Sequence, residues 1–268
     1  MLPYIEQDNV FDSIDLNINS GDGFGYTISD THPNAEAANT LIDTFLCPSD
    51  FAIHDTAAAM GSANPAPDNY MANAGWPNYA TGFDGERSLP GKFNGIIPFE
   101  NPSEAVGWHD PSVKVADVTD GTSNTAMISE RLVQNGNTPD EIRSYDQRLE
   151  SYHVSESPRT LSELSNQINP EQTHSHVFES GHVGRAWISG FALTAPAYVH
   201  VNTPNTLIGH FNTSQTEGDF IMSPSSRHSG GVNMVSADGS IRFVANSVDQ
   251  ETWWKLGSRN DGEVINQP

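Results

Sequence analysis

The stretch His228-Ser-Gly-Gly-Val-Asn-Met-Val-Ser-Ala-Asp238-Gly239-Ser-Ile-Arg-Phe-Val244 decides how this chain folds at its end. Two runs with apolar residues flank an Asp-Gly pair, which is a strong short-range signal for a β-hairpin. Nine residues lie between His228 and Asp238, so a polar residue precedes the first strand and the turn closes it. The pair predicts a two-residue type I′ turn, in which Asp238 and Gly239 both adopt positive φ.

A two-residue turn also fixes the register of this hairpin. It pairs Met234 with Phe243, because the two residues are equally distant from the turn. Side chains that alternate along paired strands share a face, and we expect the more apolar face to be the core side. The side chains on that face are Val232, Met234, Ile241, Phe243 and Ala245.

The composition excludes several classes of protein. Hydrophobic residues make up 36% and charged residues 17% of the 268 residues, which suits short strands joined by polar loops better than a helical bundle. Lys plus Arg number 12 and Asp plus Glu number 34, so the net charge is 12 − 34 = −22. This charge repels phosphate backbones and anionic lipid, and nucleic-acid binding is therefore not expected. This charge would also suit a surface that collects divalent cations, but an acidic, solvated exterior is the simpler interpretation.

Hydrophobic periodicity predicts a chain of short elements. Amphipathic helices are expected over 2–16 and 35–46, a short helix near 159–168, and a final helix over 249–256 with Asp249 as its N-cap. The segment 134–182 is polar, and we interpret it as an insertion in a single domain spanning 1–268. Before the final hairpin, strands are expected over 69–74, 113–118, 125–133, 184–188, 197–201 and 219–222.

A series of short motifs then identifies a resemblance. In order they are Leu2-Pro-Tyr-Ile-Glu-Gln7, Phe45-Leu-Cys-Pro-Ser-Asp50, Asn69-Tyr-Met-Ala-Asn-Ala-Gly75, Asp117-Val-Thr-Asp-Gly-Thr-Ser-Asn-Thr125, Ser129-Glu-Arg131, Gly184-Arg-Ala-Trp187, His200-Val-Asn-Thr-Pro-Asn205, Ser226-Arg-His-Ser-Gly-Gly231 with Asp238-Gly239, and Leu256-Gly-Ser-Arg-Asn-Asp-Gly-Glu263. This ordered set resembles an uncharacterised bacterial family that combines a prepilin-type N-terminal cleavage and methylation segment with a C-terminal His-x9-Asp-Gly domain.

The resemblance implies an α+β, pilin- or pseudopilin-like fold, with an N-terminal helix packed on an antiparallel β-sheet and large loop-rich insertions. It implies a structural subunit of a type II secretion or type IV pilus-like assembly, at the periplasmic or extracellular face of the cell envelope. Its partners are expected to be like or related subunits. In that family Leu2-Pro-Tyr-Ile-Glu-Gln7 follows a membrane helix, so we expect roughly 40–60 residues with the signal and that helix to precede this piece.

Cys47 is the single cysteine of the chain, so no internal disulfide can form. Relatives in the resembled family often carry a further cysteine shortly after the Pro-Asn piece, where this chain has Thr206-Leu-Ile. A disulfide between those two positions, if the family has one, is absent here.

Glu130 is the first candidate for chemistry. Strand alternation places it on the same side as Ala126 and Ile128, and a carboxylate that faces a core needs a partner. It could act as a catalytic acid, but a fixed polar tie between this strand and the last hairpin is the favoured interpretation. The candidate partners are Arg227, His228 and Arg242.

His228 could act as a base or a ligand, but no triad or metal-site spacing surrounds it. We therefore interpret it as a hydrogen-bonded anchor at the entry of its strand. Asp120, Gly121 and Asn124 suit a loop held by side-chain-to-backbone hydrogen bonds. A ligand site in that loop is the less favoured alternative.

Two metal sites are conceivable. Asp15, Asn17 and Asn19 place oxygen atoms at alternate positions, as calcium loops do, but the segment lacks the glycine and glutamate of an EF-hand. A solvated loop is the simpler interpretation. A second set, His174, His176 and His182, could gather zinc if these residues fell on neighbouring strands; a metal-dependent hydrolase would require such a site.

Trp76 and Trp108 lie in loops rich in Pro and Gly, where exposed indoles could stack on sugar rings. A binding module for an extracellular glycan or solute is therefore the main alternative function. Trp187, Trp253 and Trp254 are expected in the core. No arrangement of residues in the sequence forms a recognisable catalytic site, so a non-enzymatic structural subunit is the favoured hypothesis, with no required cofactor beyond possible calcium.

Overall fold

The computed structural model describes residues 1–18, 28–50, 61–77, 94–97, 112–135, 141, 146, 148, 151–154, 160–168, 183–189, 197–211, 220–263 and 265. Helices in these segments are too short or too polar to cross a membrane. Within them, the strands are β1 Tyr70–Gly75, β2 Ala126–Glu130, β3 Ser151–Val154, β4 Ala197–Val199, β5 Ile208–Phe211, β6 Phe220–Ile221, β7 Gly231–Ser236 and β8 Ile241–Ala245. The α-helices are α1 Asp8–Asp12, α2 Ala35–Asn39, α3 Leu161–Gln167 and α4 Gln250–Gly257.

The main sheet has five strands in the order β4-β1-β2-β7-β8. Strands β1, β2, β7 and β8 are antiparallel neighbours. β4 runs parallel to β1 at the sheet edge, so the sheet is mixed rather than antiparallel as predicted. The chain is α+β. A second sheet has three strands in the order β3-β5-β6.

The main core lies on one face of the five-stranded sheet, and α4 contributes much of it. Trp253 is fully buried, and Trp254 and Leu256 belong to the same apolar cluster as Met71 and Met234. Asp249 caps this helix by accepting a hydrogen bond from Thr252 N at 2.9 Å. The predicted final helix and its N-cap are therefore confirmed.

The polar segment 134–182 contributes to this core as well. Leu161 and Leu164 of α3 are fully buried in the main apolar cluster. Thr160 and Glu163 form a capping box at the start of that helix, which explains why so short a helix begins there. The helix near 159–168 is confirmed, and its apolar side chains pack with those of the main sheet.

The predicted helix over 2–16 is wrong as a continuous element. A 3-10 turn over Leu2–Ile5 ends at Glu6, whose φ of 60° lies in the left-handed region. The chain then re-enters a helix at α1. Helices this short form only where packing supports them, and here Leu2 and Val10 pack against Ile42 in a small apolar cluster. The helices whose side chains join the core of the main sheet are α3 and α4, and neither lies at the start of the chain.

The final hairpin forms, but its register differs from the prediction by one residue. Met234 faces Arg242, and Asn233 faces Phe243. Gly239 has a φ of 84°, whereas Asp238 is not among the residues with positive φ. The loop therefore has three residues and a glycine bulge, and it is further held by Ser240 N, which donates to the Asp238 carboxylate at 2.9 Å.

This shift reverses the face of one strand. Val244 is buried in the core, whereas Ile241 is 72% and Phe243 52% exposed. The Asp-Gly pair alone predicts a two-residue turn, whereas the loop has three residues. A shift of one residue in register moves every side chain of β8 to the other face of the sheet.

Replacing Gly239 with alanine is expected to lower the free energy of unfolding by about 1 kcal/mol, because a Cβ is disfavoured at positive φ. Nothing lies within 4 Å of the position that the Cβ would occupy, so the cost is purely conformational. Urea denaturation measures it. Asp238→Gly is the matched control, and a stabilising effect of that variant would indicate a type I′ turn instead.

Two further strand predictions are wrong. Residues Val115–Asp117 form a 3-10 helix rather than a strand, because the Asp117 carboxylate accepts a hydrogen bond from Lys114 N at 2.8 Å. The segment 184–188 forms a turn that starts with Gly184 at a φ of 72°. Its backbone is hydrogen-bonded to a loop rather than to a strand, since Trp187 N donates to Ala66 O. The predicted helix over 35–46 is interrupted, with α2 followed by a 3-10 turn over Asp43–Phe45.

Candidate functional site

Glu130 is the centre of the polar site that the fold assembles. It ends β2, and its side chain is 6% exposed. Asn233 of β7 holds both carboxylate oxygens: its backbone N–H donates to Oε2 at 2.7 Å and its side-chain amide donates to Oε1 at 3.0 Å. The predicted tie between this strand and the last hairpin is therefore present.

His228 completes this tie from the loop before β7. Its Nε2 lies 3.1 Å from Glu130 Oε1, and a carboxylate that accepts a hydrogen bond there requires the Nε2–H tautomer. His228 N also donates to Ser226 Oγ at 3.1 Å, which fixes the loop. His228 is an anchor at the strand entry, as predicted, and its side chain is 33% exposed.

Cys47 joins the two residues, and sequence reasoning did not place it there. Its Sγ lies 3.9 Å from His228 Nε2, and the residue is 8% exposed. No spacing in the sequence links positions 47, 130 and 228. The only signal available was that Cys47 and Glu130 each lie in one of the ordered family-like motifs.

Asn69 positions the Cys47 backbone. This fully buried side chain accepts a hydrogen bond from Cys47 N at 2.8 Å. Its amide group donates to Asp50 Oδ2 at 2.8 Å and to Arg131 O at 2.9 Å. Because all polar atoms of Asn69 are engaged, the loop with Cys47 is fixed against the strands that carry Glu130.

The electrostatic environment of this site is anionic. Tyr70 of β1 faces Glu130 across the sheet. Burial raises the pKa of the Tyr70 phenol, and the nearby Cys47 and Glu130 groups raise it further. The site thus favours cations and neutral groups over additional negative charge.

The three side chains converge on one point. Cys47 Sγ, a ring nitrogen of His228 and a carboxylate oxygen of Glu130 all lie within 4.8 Å of one another. Among the described residues, this is the group of three whose atoms are close enough to share a metal ion. Cys47 and Glu130 approach the same ring nitrogen. A catalytic Cys–His–acid triad needs them at opposite nitrogens, so the arrangement suits a shared cation or proton rather than nucleophilic catalysis.

The other two predicted partners of Glu130 bind elsewhere. Arg227 forms ion pairs with Asp146 at 2.6 Å and Asp50 at 3.5 Å. Arg242 donates to Ser123 O and to Ser236 Oγ. Both arginines therefore hold loops around the hairpin.

The loop with Asp120 is held by hydrogen bonds, as predicted. Asn124 Nδ2 donates to Asp120 O at 3.2 Å, and Gly121 adopts a φ of 99°. The Asp120 carboxylate reaches further than expected, since it accepts hydrogen bonds from Asp261 N at 2.8 Å and Gly262 N at 3.0 Å. The loop is thereby joined to the segment after α4.

The pKa of the Asp261 carboxyl group is shifted at its contact with Asp120. Burial and the negative charge of Asp120 raise its pKa from 3.8 to about 7. The folded chain therefore keeps a proton that the unfolded chain releases, so stability falls as the pH rises from about 4 to about 7.

Asp261→Asn is expected to remove this penalty. The amide retains an acceptor for Glu263 N, which donates to Asp261 Oδ1 at 2.7 Å. After allowance for solvent screening, we expect the free energy of unfolding of the variant to exceed that of wild type by about 1 kcal/mol above pH ~7 and by little below pH ~4. Urea denaturation of both chains across this pH range measures the difference, and a difference that does not change with pH would contradict the assignment.

The remaining predicted residues do not form a described site. Asn17 N donates to Asp15 Oδ1 at 2.9 Å, which is an ordinary local turn. Trp76 is 2% exposed and donates its indole N–H to Trp254 O, so its prediction as a glycan platform is wrong. Some predicted residues lie outside the described residues: Asn19, Trp108, His174, His176 and His182.

Comparison with known proteins identifies a family. A family model described as "Protein of unknown function (DUF1559)" matches residues 1–251, which is most of the chain. No curated protein and no solved structure matches the chain significantly.

Proposed function

The chain belongs to the DUF1559 family of proteins of unknown function. We propose that it is a non-enzymatic, pseudopilin-like structural subunit of a cell-envelope assembly. The assembly resembles those of type II secretion and type IV pili. The partners are like or related subunits, and the site of action is the periplasmic or extracellular face of the envelope.

The apolar outer face of the main sheet is the observation that carries this proposal. This face lies opposite the core, and its apolar side chains are Tyr70, Ile128, Val235, Ile241 and Phe243, beside the polar Glu130 and Asn233. Tyr70, Phe243 and Ile241 are 36%, 52% and 72% exposed. On a chain with a net charge of −22, adjacent exposed apolar side chains favour burial against a partner. We propose that a related subunit covers this outer sheet face.

The N-terminal segment supports the same proposal. A groove of about 410 Å³ runs between it and the outer sheet face, and Leu2, Phe11 and Ile14 line one side while Tyr70 and Ile128 line the other. In the proposed fold, a helix would pack along such a sheet face. The groove therefore has room for the apolar side chains of a helix that packs along this sheet face.

The family-like motifs also support a structural role. Glu130 and His228 join β2 to the last hairpin. Asp120 joins a loop to the chain after α4, and Asp238 holds the hairpin turn. These residues are engaged in contacts between elements. The glycan-binding alternative loses support, because one of its two tryptophans is buried.

Site-specific photo-cross-linking in the source cells tests this proposal. A photoreactive residue at Phe243 is expected to capture an identified pilin-like subunit in the envelope fraction. Val115, which is 79% exposed and lies outside the outer sheet face, is the matched position. Equal cross-linking at both positions, or recovery of the chain from the cytoplasm alone, would refute the proposal.

A further inference from the structure

We propose that Cys47, Glu130 and His228 form a binding site for a thiophilic divalent cation of the zinc class. The site has three protein ligands and one position left for water or another ligand. Glu130 lies on the same outer sheet face as Tyr70 and Phe243, but the test of the metal site does not depend on the proposed function.

The separations between the ligand atoms suit a tetrahedral ion. With metal–ligand distances of about 2.0–2.3 Å, the edges of a zinc tetrahedron measure roughly 3.3–3.8 Å. His228 Nε2 lies 3.1 Å from Glu130 Oε1 and 3.9 Å from Cys47 Sγ, and the remaining separation is within 4.8 Å. The two separations from His228 Nε2 therefore lie close to the edges of such a tetrahedron.

The donor set selects the metal class. A thiolate, an imidazole and a carboxylate together favour zinc over calcium or magnesium, which prefer oxygen ligands alone. The thiolate and carboxylate charges balance a divalent cation, so the occupied site is neutral. On binding, the Cys47 thiol releases its proton to solvent, and the His228 proton moves from Nε2 to Nδ1, so that Nε2 is free to bind the cation.

Neighbouring residues fix the ligands, as they do in natural metal sites. Asn233 donates two hydrogen bonds to the Glu130 carboxylate. Asn69 holds the Cys47 backbone. The His228 side chain is 33% exposed, which provides an entry path, while Cys47 and Glu130 lie beneath it.

Cobalt(II) is a suitable probe, because a cobalt–thiolate bond gives a charge-transfer absorption and tetrahedral cobalt gives strong visible bands. Cys47 is the single cysteine of the chain. A thiolate band in the untagged chain therefore reports this site, whatever the histidines elsewhere bind. We expect one equivalent of Co²⁺ to produce these bands and one equivalent of Zn²⁺ to remove them.

Variants separate ligands from supporting residues. Cys47→Ser is expected to abolish the thiolate band, and His228→Gln and Glu130→Gln are each expected to weaken Zn²⁺ binding by more than about 100-fold. Asn233→Ala keeps all three ligands and is expected to weaken it by roughly 10–100-fold. His32→Gln, a histidine outside the three-residue group, is the matched control and should bind as wild type does.

X-ray absorption of the Zn²⁺-loaded wild-type chain provides a second readout that needs no variant. We expect one sulfur neighbour together with nitrogen and oxygen neighbours. A zinc ion with only nitrogen and oxygen neighbours, or a Zn²⁺ affinity that Cys47→Ser leaves unchanged, would overturn the site. Neither outcome affects the cross-linking test of the outer sheet face.

Discussion

Glu130→Ala is expected to lower the free energy of unfolding by about 3 kcal/mol, measured by urea denaturation with a chelator present. The variant leaves His228 Nε2 and the backbone N–H of Asn233 without their acceptor. Removing one member of a buried charged contact costs about 3–5 kcal/mol, and the lower end applies because His228 is partly exposed.

Glu251→Ala is the matched control for this prediction. Glu251 also forms an ion pair, at 2.8 Å from Lys255 Nζ, but its side chain is 60% exposed. Such exposed pairs contribute about 0.5 kcal/mol or less. If Glu130→Ala cost no more than Glu251→Ala, the Glu130 contact would not be a structural tie.

Trp253→Ala is expected to have the largest effect on stability, a loss of about 3–5 kcal/mol. The side chain is fully buried and stacks on His200, with ring centroids 3.9 Å apart. Its carbonyl accepts a hydrogen bond from His200 Nδ1 at 2.7 Å. Burial lowers the pKa of His200 to about 3, so this imidazole stays neutral and stacks as an uncharged ring.

Trp253→Phe separates ring packing from the indole N–H. That N–H makes no hydrogen bond with the described residues, so the phenylalanine variant loses mainly volume and is expected to cost about 1–2 kcal/mol, less than Trp253→Ala. Thermal unfolding of both variants measures the contrast. Equal losses in the two variants would show that the ring does not pack as described.

Local signals predicted several elements well. The Asp249 cap gave the start of α4, and the short helix over Leu161–Gln167 followed from its apolar spacing. The failures have a common physical cause, since they arise from backbone conformations that hydrophobic periodicity does not report. A left-handed Glu6 breaks the first helix, and a glycine bulge at Gly239 shifts the hairpin by one residue. Local periodicity carries no information on either.

The candidate site was predictable only in part. Strand alternation predicted that Glu130 needs a partner, and His228 was among the three candidates. The prediction that Glu130 faces the main core is wrong, because Glu130 lies with Tyr70 on the sheet face opposite Met71 and Met234. Cys47 could not be assigned, because it reaches the site through a loop held by Asn69. Trp76 occupies a loop-like sequence yet is buried beneath α4, because its indole meets a helix carbonyl far along the chain.

A double-mutant cycle between Glu130 and His228 tests most directly whether these two residues join β2 to the last hairpin. The free energies of unfolding of wild type, Glu130→Ala, His228→Ala and the double variant are measured by urea denaturation in the presence of a chelator. The contact predicts a coupling free energy of about 1–3 kcal/mol. Additivity within roughly 0.3 kcal/mol would contradict the tie.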